Sequence, residues 1–420
     1  MPAPALGLDF GTSNTTAAVL VDGEAQVLAL DPSAADPRLF RSVLFFPDEG
    51  HMLAGAEAIA AYLEVSEGRF MQSLKSFLPV KSFTSTAVRG RAFTLEALIG
   101  LLLRCVKTGI ERELGEPVDR LVLGRPARFA DDDAGDAFAE ARLLRAAEEA
   151  GFKQVTFRIE PLAAGLAHEA TLEHEERVLT GDFGAGTSDF TVMRLSPARH
   201  RDADRKADIL SRAGIYVAGD AIDGAVMQHQ LLRHFGSEAR HRPMRVGHWT
   251  GMPAHLMRKL LSWHTMSFIR EKSTQVFLDD FLKTTDQPAQ VGALIDLVRF
   301  NLGYHLFRAI EAAKVTLSTE PVARITFADA RVKVDAELTR DQFEALIDPL
   351  VQKLGATLDR ALAQAGLGPD EIDAVVLTGG TSLIPRVAQL FLARFGPEKL
   401  RRADAFSSVA EGLAAAAAAR

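Results

Sequence analysis

The segment Gly181-Asp-Phe-Gly-Ala-Gly-Thr-Ser-Asp189 separates two strand-like runs, Val178-Leu179 before it and Phe190-Thr-Val-Met-Arg-Leu195 after it. Such a pattern predicts a β-hairpin with a glycine-rich turn and an aspartate on each side. Gly184 and Gly186 are expected to supply positive φ and to bring backbone N–H groups close to an anion, while Thr187 and Ser188 add hydroxyl donors. The natural guest is a phosphate. Two carboxylates, Asp182 and Asp189, would repel it unless a hard cation sits with it, so the pocket reads as one for a metal-nucleotide with hydrated Mg²⁺.

The device occurs twice. Leu6-Gly-Leu-Asp-Phe-Gly-Thr-Ser-Asn14, followed by Thr15-Thr-Ala-Ala-Val-Leu20, places Asp9 173 residues (182 − 9) before Asp182 in the same grammar. Gly11, Thr12, Ser13 and Asn14 form its turn. A repeat at this distance implies a duplicated half rather than a solenoid, whose period would be roughly 20–50 residues. Two similar lobes, with hairpins clamping one polyphosphate, are expected.

Working outward, 420 residues allow two to three domains, and 47% hydrophobic with 25% charged residues is an ordinary globular balance. A net charge of −7 argues against a general nucleic-acid footprint. The densest basic stretch, His200 to Lys206, is diluted by aspartates. Cys105 is the single cysteine, which excludes an internal disulfide and suits a reducing compartment. No basic leader region and no 18-residue apolar run is present, so a cytoplasmic location is expected, without membrane contact.

Along the chain, β and α signals alternate. Phe40–Phe46 reads as one strand, Gly55–Glu64 as a helix, and Lys75 sits among apolar neighbours where a snorkelling lysine is the ordinary reading. Thr94 caps a helix to about Leu114, Asp131-Asp-Asp133 caps another through Ala150, and Gln154–Ile159 is a strand. Glu160-Pro161 then starts a helix at a strand-to-helix junction, where α/β sheets present functional groups. Gly219 opens a helix whose Asp220 and Asp223 either complete the site or cap the helix. His234, His241, His248, His255 and His264 lie about a heptad apart but lack the tight pairs of a zinc motif, so residues 235–288 read as a helical insertion facing a partner or the base. Val298–Leu317 reads as one helix carrying Glu311, Lys314 and Ser318 on a shared face. A hairpin over 324–336, a helix over 339–365 and a buried strand Ile372–Leu377 follow. The strand leads into Thr378-Gly-Gly-Thr-Ser-Leu-Ile-Pro385, a third glycine turn, and Ala410–Arg420 is a strong helix former.

Together and in order, these motifs resemble the actin-like ATPase superfamily, and within it the nucleotide-binding domain of the heat-shock protein 70 (DnaK-like) family. The resemblance implies an α/β, ribonuclease H-like duplication with two lobes around a nucleotide cleft. Lobe I would span 1–180 with an insert at about 41–95, and lobe II 181–394 with an insert at about 225–315. A helix in 395–420 would return to lobe I. It further implies that Thr12, Ser13, Asn14 and Thr187, with the turn glycines Gly11, Gly184 and Gly186, contact phosphates, and that Asp9 and Asp182 hold hydrated Mg²⁺. Lys75 would position the attacking water among Glu160, Asp182 and Asp189. Gly219, Asp220, Glu311, Lys314 and Ser318, with Gly379, Gly380 and Ser382, would contact the rest of ATP.

Val315 and Leu383 stand where many relatives place arginines on the adenine faces, and Ala218-Gly-Asp-Ala221 only partly matches the Gly-Gly-Glu-Asp motif. The chain is most similar to the short YegD-type members, so a slow MgATPase switch with a protein partner and no peptide-gripping domain is expected. An actin-like filament protein and a sugar or acid kinase are the alternatives.

Overall fold

The computed structural model describes residues 6–65, 68–126, 128–130, 132–169, 172–199, 205–242, 247–402 and 407–418. Asp131 and residues 200–204 of the basic stretch therefore lie outside the described residues. The chain divides into two compact units, Met1–Tyr216 with Gly355–Ser382 and Gln389–Arg420, and Val217–Leu354 with Leu383–Ala388.

The first unit holds two sheets of one design. In the first, β1 (Leu6–Phe10), β2 (Asn14–Val21) and β3 (Glu24–Val27) form an antiparallel meander, and β4 (Arg120–Arg125) and β5 (Gln154–Ile159) continue in parallel from β1. In the second, β6 (Glu176–Phe183), β7 (Ser188–Leu195) and β8 (Ile209–Ile215) form the meander, and β9 (Ala374–Thr378) and β10 (Leu400–Arg402) continue from β6. The identical path is the duplication expected from the repeated motif. Parallel strands covered on both faces must be apolar throughout. Leu121, Leu123, Val375 and Val376 are accordingly buried.

Helix α1 (Leu95–Leu114) is bounded as its sequence dictates: the Thr94 hydroxyl accepts from the Ala97 N–H at 3.1 Å, and Gly115 turns left-handed at φ 73°. Asp132 caps α2 (Asp133–Glu149) by accepting from the Gly135 N–H at 2.8 Å. Cys105 is half-buried on α1, and burial pushes its thiol pKa up. Helix α3 (Glu160–Glu169) starts directly at the end of β5. The alanine-rich α8 (Ser408–Ala418) packs on α3, β1 and β2, where Ala18, Ala410 and Ala414 are fully buried. Small side chains here serve close approach, since an added Cβ at Gly7 or Gly412 would overlap the facing backbone.

The second unit carries α4 (Gly219–Val226), α5 (Pro288–Arg299) and α6 (Gly303–Thr319), the last packed on an antiparallel hairpin of Val322–Ala328 and Lys333–Thr339. The helix expected over Val298–Leu317 is therefore two, broken where Asn301 takes a left-handed φ of 55°. The strand expected over Phe40–Phe46 is likewise interrupted at Ser42, whose N–H donates to the Ser13 carbonyl at 2.9 Å instead of continuing one ladder. Among the described residues between Phe235 and Pro288, short helices over Ala254–Lys259, Trp263–Arg270 and Lys272–Thr284 accompany a ribbon pairing Arg240–His241 with Thr250–Gly251. His241 stacks on Phe281 at 4.1 Å and burial lowers its pKa, a packing role for the most buried of the spaced histidines whose side chains are described. The side chain of His264 lies outside the described residues. Among the described residues, no helix is long and apolar enough to cross a membrane. α7 (Pro385–Phe395) follows the third glycine turn.

Candidate functional site

The two hairpins end in equivalent residues. On the first, Asp9 pairs in register with Thr16 just before the Gly11-Thr12-Ser13 turn. On the second, Asp182 lies opposite Asp189 just before the Gly184–Thr187 turn, which closes with the Gly184 N–H donating to the Thr187 carbonyl at 2.9 Å. Thr378, beside Asp182 on β9, donates its hydroxyl to Asp182 Oδ1 at 2.8 Å.

Lys75 reaches this cluster from the short turn Leu74–Phe77. Its ammonium donates to Glu160 Oε1 at 2.8 Å, with the two side chains only 12% and 10% exposed. The snorkelling expectation from local sequence is overturned: an 85-residue separation hid the carboxylate that makes burial of this lysine tolerable. Burial pushes its pKa down, but Glu160, Asp9 and Asp182 outweigh that and leave it raised.

The carboxylates respond in kind. Asp9 is pushed up to about 8, first by burial, then by the Glu160 charge, with Lys75 opposing and Asp182 adding to the rise. Glu160 is raised by burial against the pull of Lys75. Asp189 is pushed up to about 6 by burial and by Asp182 opposite it, against a hydrogen bond from Thr187. Like charges directly across a ladder repel, so the register supplies the Asp182 part of that last shift, on top of burial. Asp9, Lys75, Glu160, Asp182 and Asp189 are thus electrostatically one cluster.

Two glycines that the sequence did not single out, Gly124 and Gly214, make room for it. An added Cβ at Gly124 would meet Glu160 Cγ at 3.0 Å, and one at Gly214, opposite Asp189 in register, would overlap that carboxylate. Gly181 on β6 is similarly crowded by Leu377 at 3.0 Å. The only signal available was a glycine inside a strand, which marks close approach.

The turn glycines need correction. Gly11, Gly184 and Gly186 do not adopt positive φ. Gly11 is required because a Cβ would overlap the Asn14 carbonyl, whereas Gly186 has open space around it. The left-handed position is Gly379, at φ 83°, where a Cβ would overlap the Phe183 carbonyl and so hold the third turn away from the second hairpin. Gly380 is exposed beside it, while the buried Ser382 hydroxyl is used within the turn, donating to the Gly379 carbonyl at 2.7 Å.

The remaining candidates lie in the second unit. Gly219 is buried at the start of α4, which also carries Asp220. Asp223 pairs with Lys314 on α6 at 2.7 Å, and burial raises its pKa to about 6 against the lysine's pull. Glu311 pairs with Arg308, and the Ser318 hydroxyl donates to the Lys314 carbonyl at 3.2 Å, so the polar face is occupied by contacts of its own helix and of α4. Val315 and Leu383 are 65% and 53% exposed.

A family model described as Hsp70 protein matches residues 71–229 and 295–419. The chain is 27% identical over 418 residues to the chaperone protein DnaK of Elusimicrobium minutum, covering 97% of this chain and 56% of that protein. It is 27% identical to the DnaK of Methanothermobacter thermautotrophicus, covering 97% and 58%, and 27% identical to a DnaK of Thermus thermophilus, covering 98% and 60%. The chain thus spans somewhat over half the length of these curated relatives. With more than half of its residues matched by the family model, on a duplicated α/β fold, this chain belongs to the Hsp70 family.

Proposed function

We propose that the chain binds MgATP at the paired hairpins of its first unit and hydrolyses it slowly, as a nucleotide-dependent switch for a protein partner. The observation that carries the reading is the cluster of Asp9, Glu160, Asp182 and Asp189 around Lys75, placed against two turns rich in hydroxyl and backbone donors. So many carboxylates around one ammonium leave an excess of negative charge, which adds to burial in pushing Asp9 up to about 8. Hard oxygen donors in that excess fit a hydrated Mg²⁺, held by Asp9 and Asp182 through its waters. When bound, the ion neutralises charge on the β- and γ-phosphates.

The protein's own groups supply the rest. Thr12, Ser13, Asn14 and Thr187 donate to phosphate oxygens, with Gly11, Gly184 and Gly186 admitting them. Lys75, held by Glu160, orients the attacking water. In this reading Asp189, pushed up to about 6, accepts that water's proton at neutral pH. Gly379, Gly380 and Ser382, and separately Gly219, Asp220, Glu311, Lys314 and Ser318, are assigned to the nucleoside end by family resemblance. The lobe boundaries at 180/181 and 394/395, and a reducing, cytoplasmic setting suited to the single Cys105, belong to the same proposal. The switch works if nucleotide favours one conformation, since a ligand shifts an equilibrium only by its differential affinity.

The test is steady-state ATP hydrolysis with Mg²⁺, with ATP affinity measured by calorimetry on the same samples, in wild type and Lys75→Ala. Slow turnover in wild type, reduced about a hundredfold in the variant while ATP still binds, is expected. Turnover unchanged by the substitution, or a wild type that binds no MgATP, overturns the reading.

A further inference from the structure

We infer that Arg41 is a phosphate-binding residue of the first hairpin, and that it sets the preference of the site for triphosphate over diphosphate; this rests on the MgATP reading above. The segment Phe40-Arg-Ser42 is fastened to the hairpin turn at four points. Asn14 pairs with Arg41 and Thr15 with Phe40 in antiparallel register, the Ser42 N–H donates to the Ser13 carbonyl at 2.9 Å, and the Thr15 and Ser42 hydroxyls share a buried hydrogen bond at 2.9 Å. Arg41 is therefore held by backbone, with its side chain on the same face as that of Asn14.

Its guanidinium donates through Nη1 to Asn14 Oδ1 at 3.0 Å. Since arginine only donates, the carboxamide oxygen must face Arg41 and the Asn14 amide N–H groups face away from it, with donors left over on both residues. The first consequence is that Arg41 orients Asn14 as a donor. The second concerns charge. Several partly or fully buried arginines here meet carboxylates: Arg125 meets Asp136 and Glu140, Arg142 meets Glu96, and Arg205 meets Glu169 and Asp208. Half-buried Arg41 has no carboxylate partner among the described residues; its hydrogen bond is to a neutral amide. A guanidinium that is partly desolvated and unneutralised, with unused donors in fork geometry beside a turn of hydroxyls, is suited to a phosphate oxygen pair. Its charge weighs most on the ligand with the most phosphate charge.

The experiment is calorimetric binding of ATP, ADP and inorganic tripolyphosphate, each with Mg²⁺, to wild type, Arg41→Ala, Arg41→Lys and Asn14→Ala, with melting temperatures of all four. Loss of one charge-assisted contact should weaken ATP and tripolyphosphate by about ten- to a hundredfold in Arg41→Ala. ADP should weaken less, so the ATP/ADP preference falls, and Arg41→Lys should recover part of it. Asn14→Ala should weaken all three ligands while keeping more of the preference than Arg41→Ala does. An unchanged ATP/ADP ratio in Arg41→Ala, with wild type binding normally, overturns this inference alone. A wild type that binds none of the three overturns the MgATP reading and this inference with it.

Discussion

Removing the ammonium of Lys75 should cost far more stability than removing its partner carboxylate, although the two form one ion pair. In Lys75→Met, Glu160 stays buried beside Asp9 and Asp182 without the cation that acts on all of them. Breaking a buried pair in this way costs roughly 3–5 kcal/mol. Protonation offers an escape that sets the scale. A carboxyl of ordinary pKa 4.5 takes up a proton at pH 7 for about 1.4 kcal/mol per unit, or about 3.4 kcal/mol over the interval of 2.5 units. The cost of Lys75→Met should therefore approach about 3 kcal/mol at pH 7 and fall to about half of that at pH 5.5.

Glu160→Gln leaves Lys75 with Asp9 and Asp182, both of which already raise its pKa, so Asp9 ionises in place of Glu160. That substitution should cost about 1 kcal/mol or less. The double variant should then resemble Glu160→Gln, a coupling of about 2 kcal/mol. The assay is urea unfolding at pH 7.0 and 5.5 in EDTA without nucleotide, followed by circular dichroism. Equal costs for the two single variants, additivity in the double, or a Lys75→Met penalty independent of pH would refute the reasoning.

Two further outcomes concern the framework. Gly412→Ala should destabilise by about 3 kcal/mol, because the added Cβ overlaps the Ala163 backbone of α3, whereas Gly292→Ala on α5, with open space around it, should be neutral or stabilise by up to about 1 kcal/mol; urea midpoints compare them. Glu96 is brought down to about 2 from an ordinary 4.5, burial opposing and hydrogen bonds from Arg142 and Arg145 prevailing, so its contribution is complete above about 4.5 and lost as pH falls through 2. After discounting for its partial solvation, Glu96→Gln should cost about 2 kcal/mol at pH 7 and less than half of that at pH 3, and a gap that does not narrow on acidification contradicts this.

Most of the architecture was legible because its signals are local. Thr94 and Gly115 bracket α1, Asp132 starts α2, and the two Asp-Phe-Gly hairpins announce the repeat that both sheets display. The misreadings occurred where a distant contact overrode a continuous pattern. The helix break at Asn301 interrupts an apolar period with no proline to signal it, and the strand through Phe46 is split because Ser42 bonds to Ser13 and Thr15. The turn glycines were assigned to the site for a conformational reason that only Gly379 satisfies.

By itself, the sequence determined the duplicated α/β frame and the two turns with their aspartates, since alternation, glycine placement and caps act over a few residues and need no knowledge of what lies across the fold. Only the tertiary structure decided that Lys75 meets Glu160, that Asp182 faces Asp189, that Gly124 and Gly214 give the carboxylates room, and that Arg41 orients Asn14. The physical reason is that charge and burial depend on distance in space: a lysine or an arginine has the same local sequence whether it ends in water or beside a carboxylate 85 residues away.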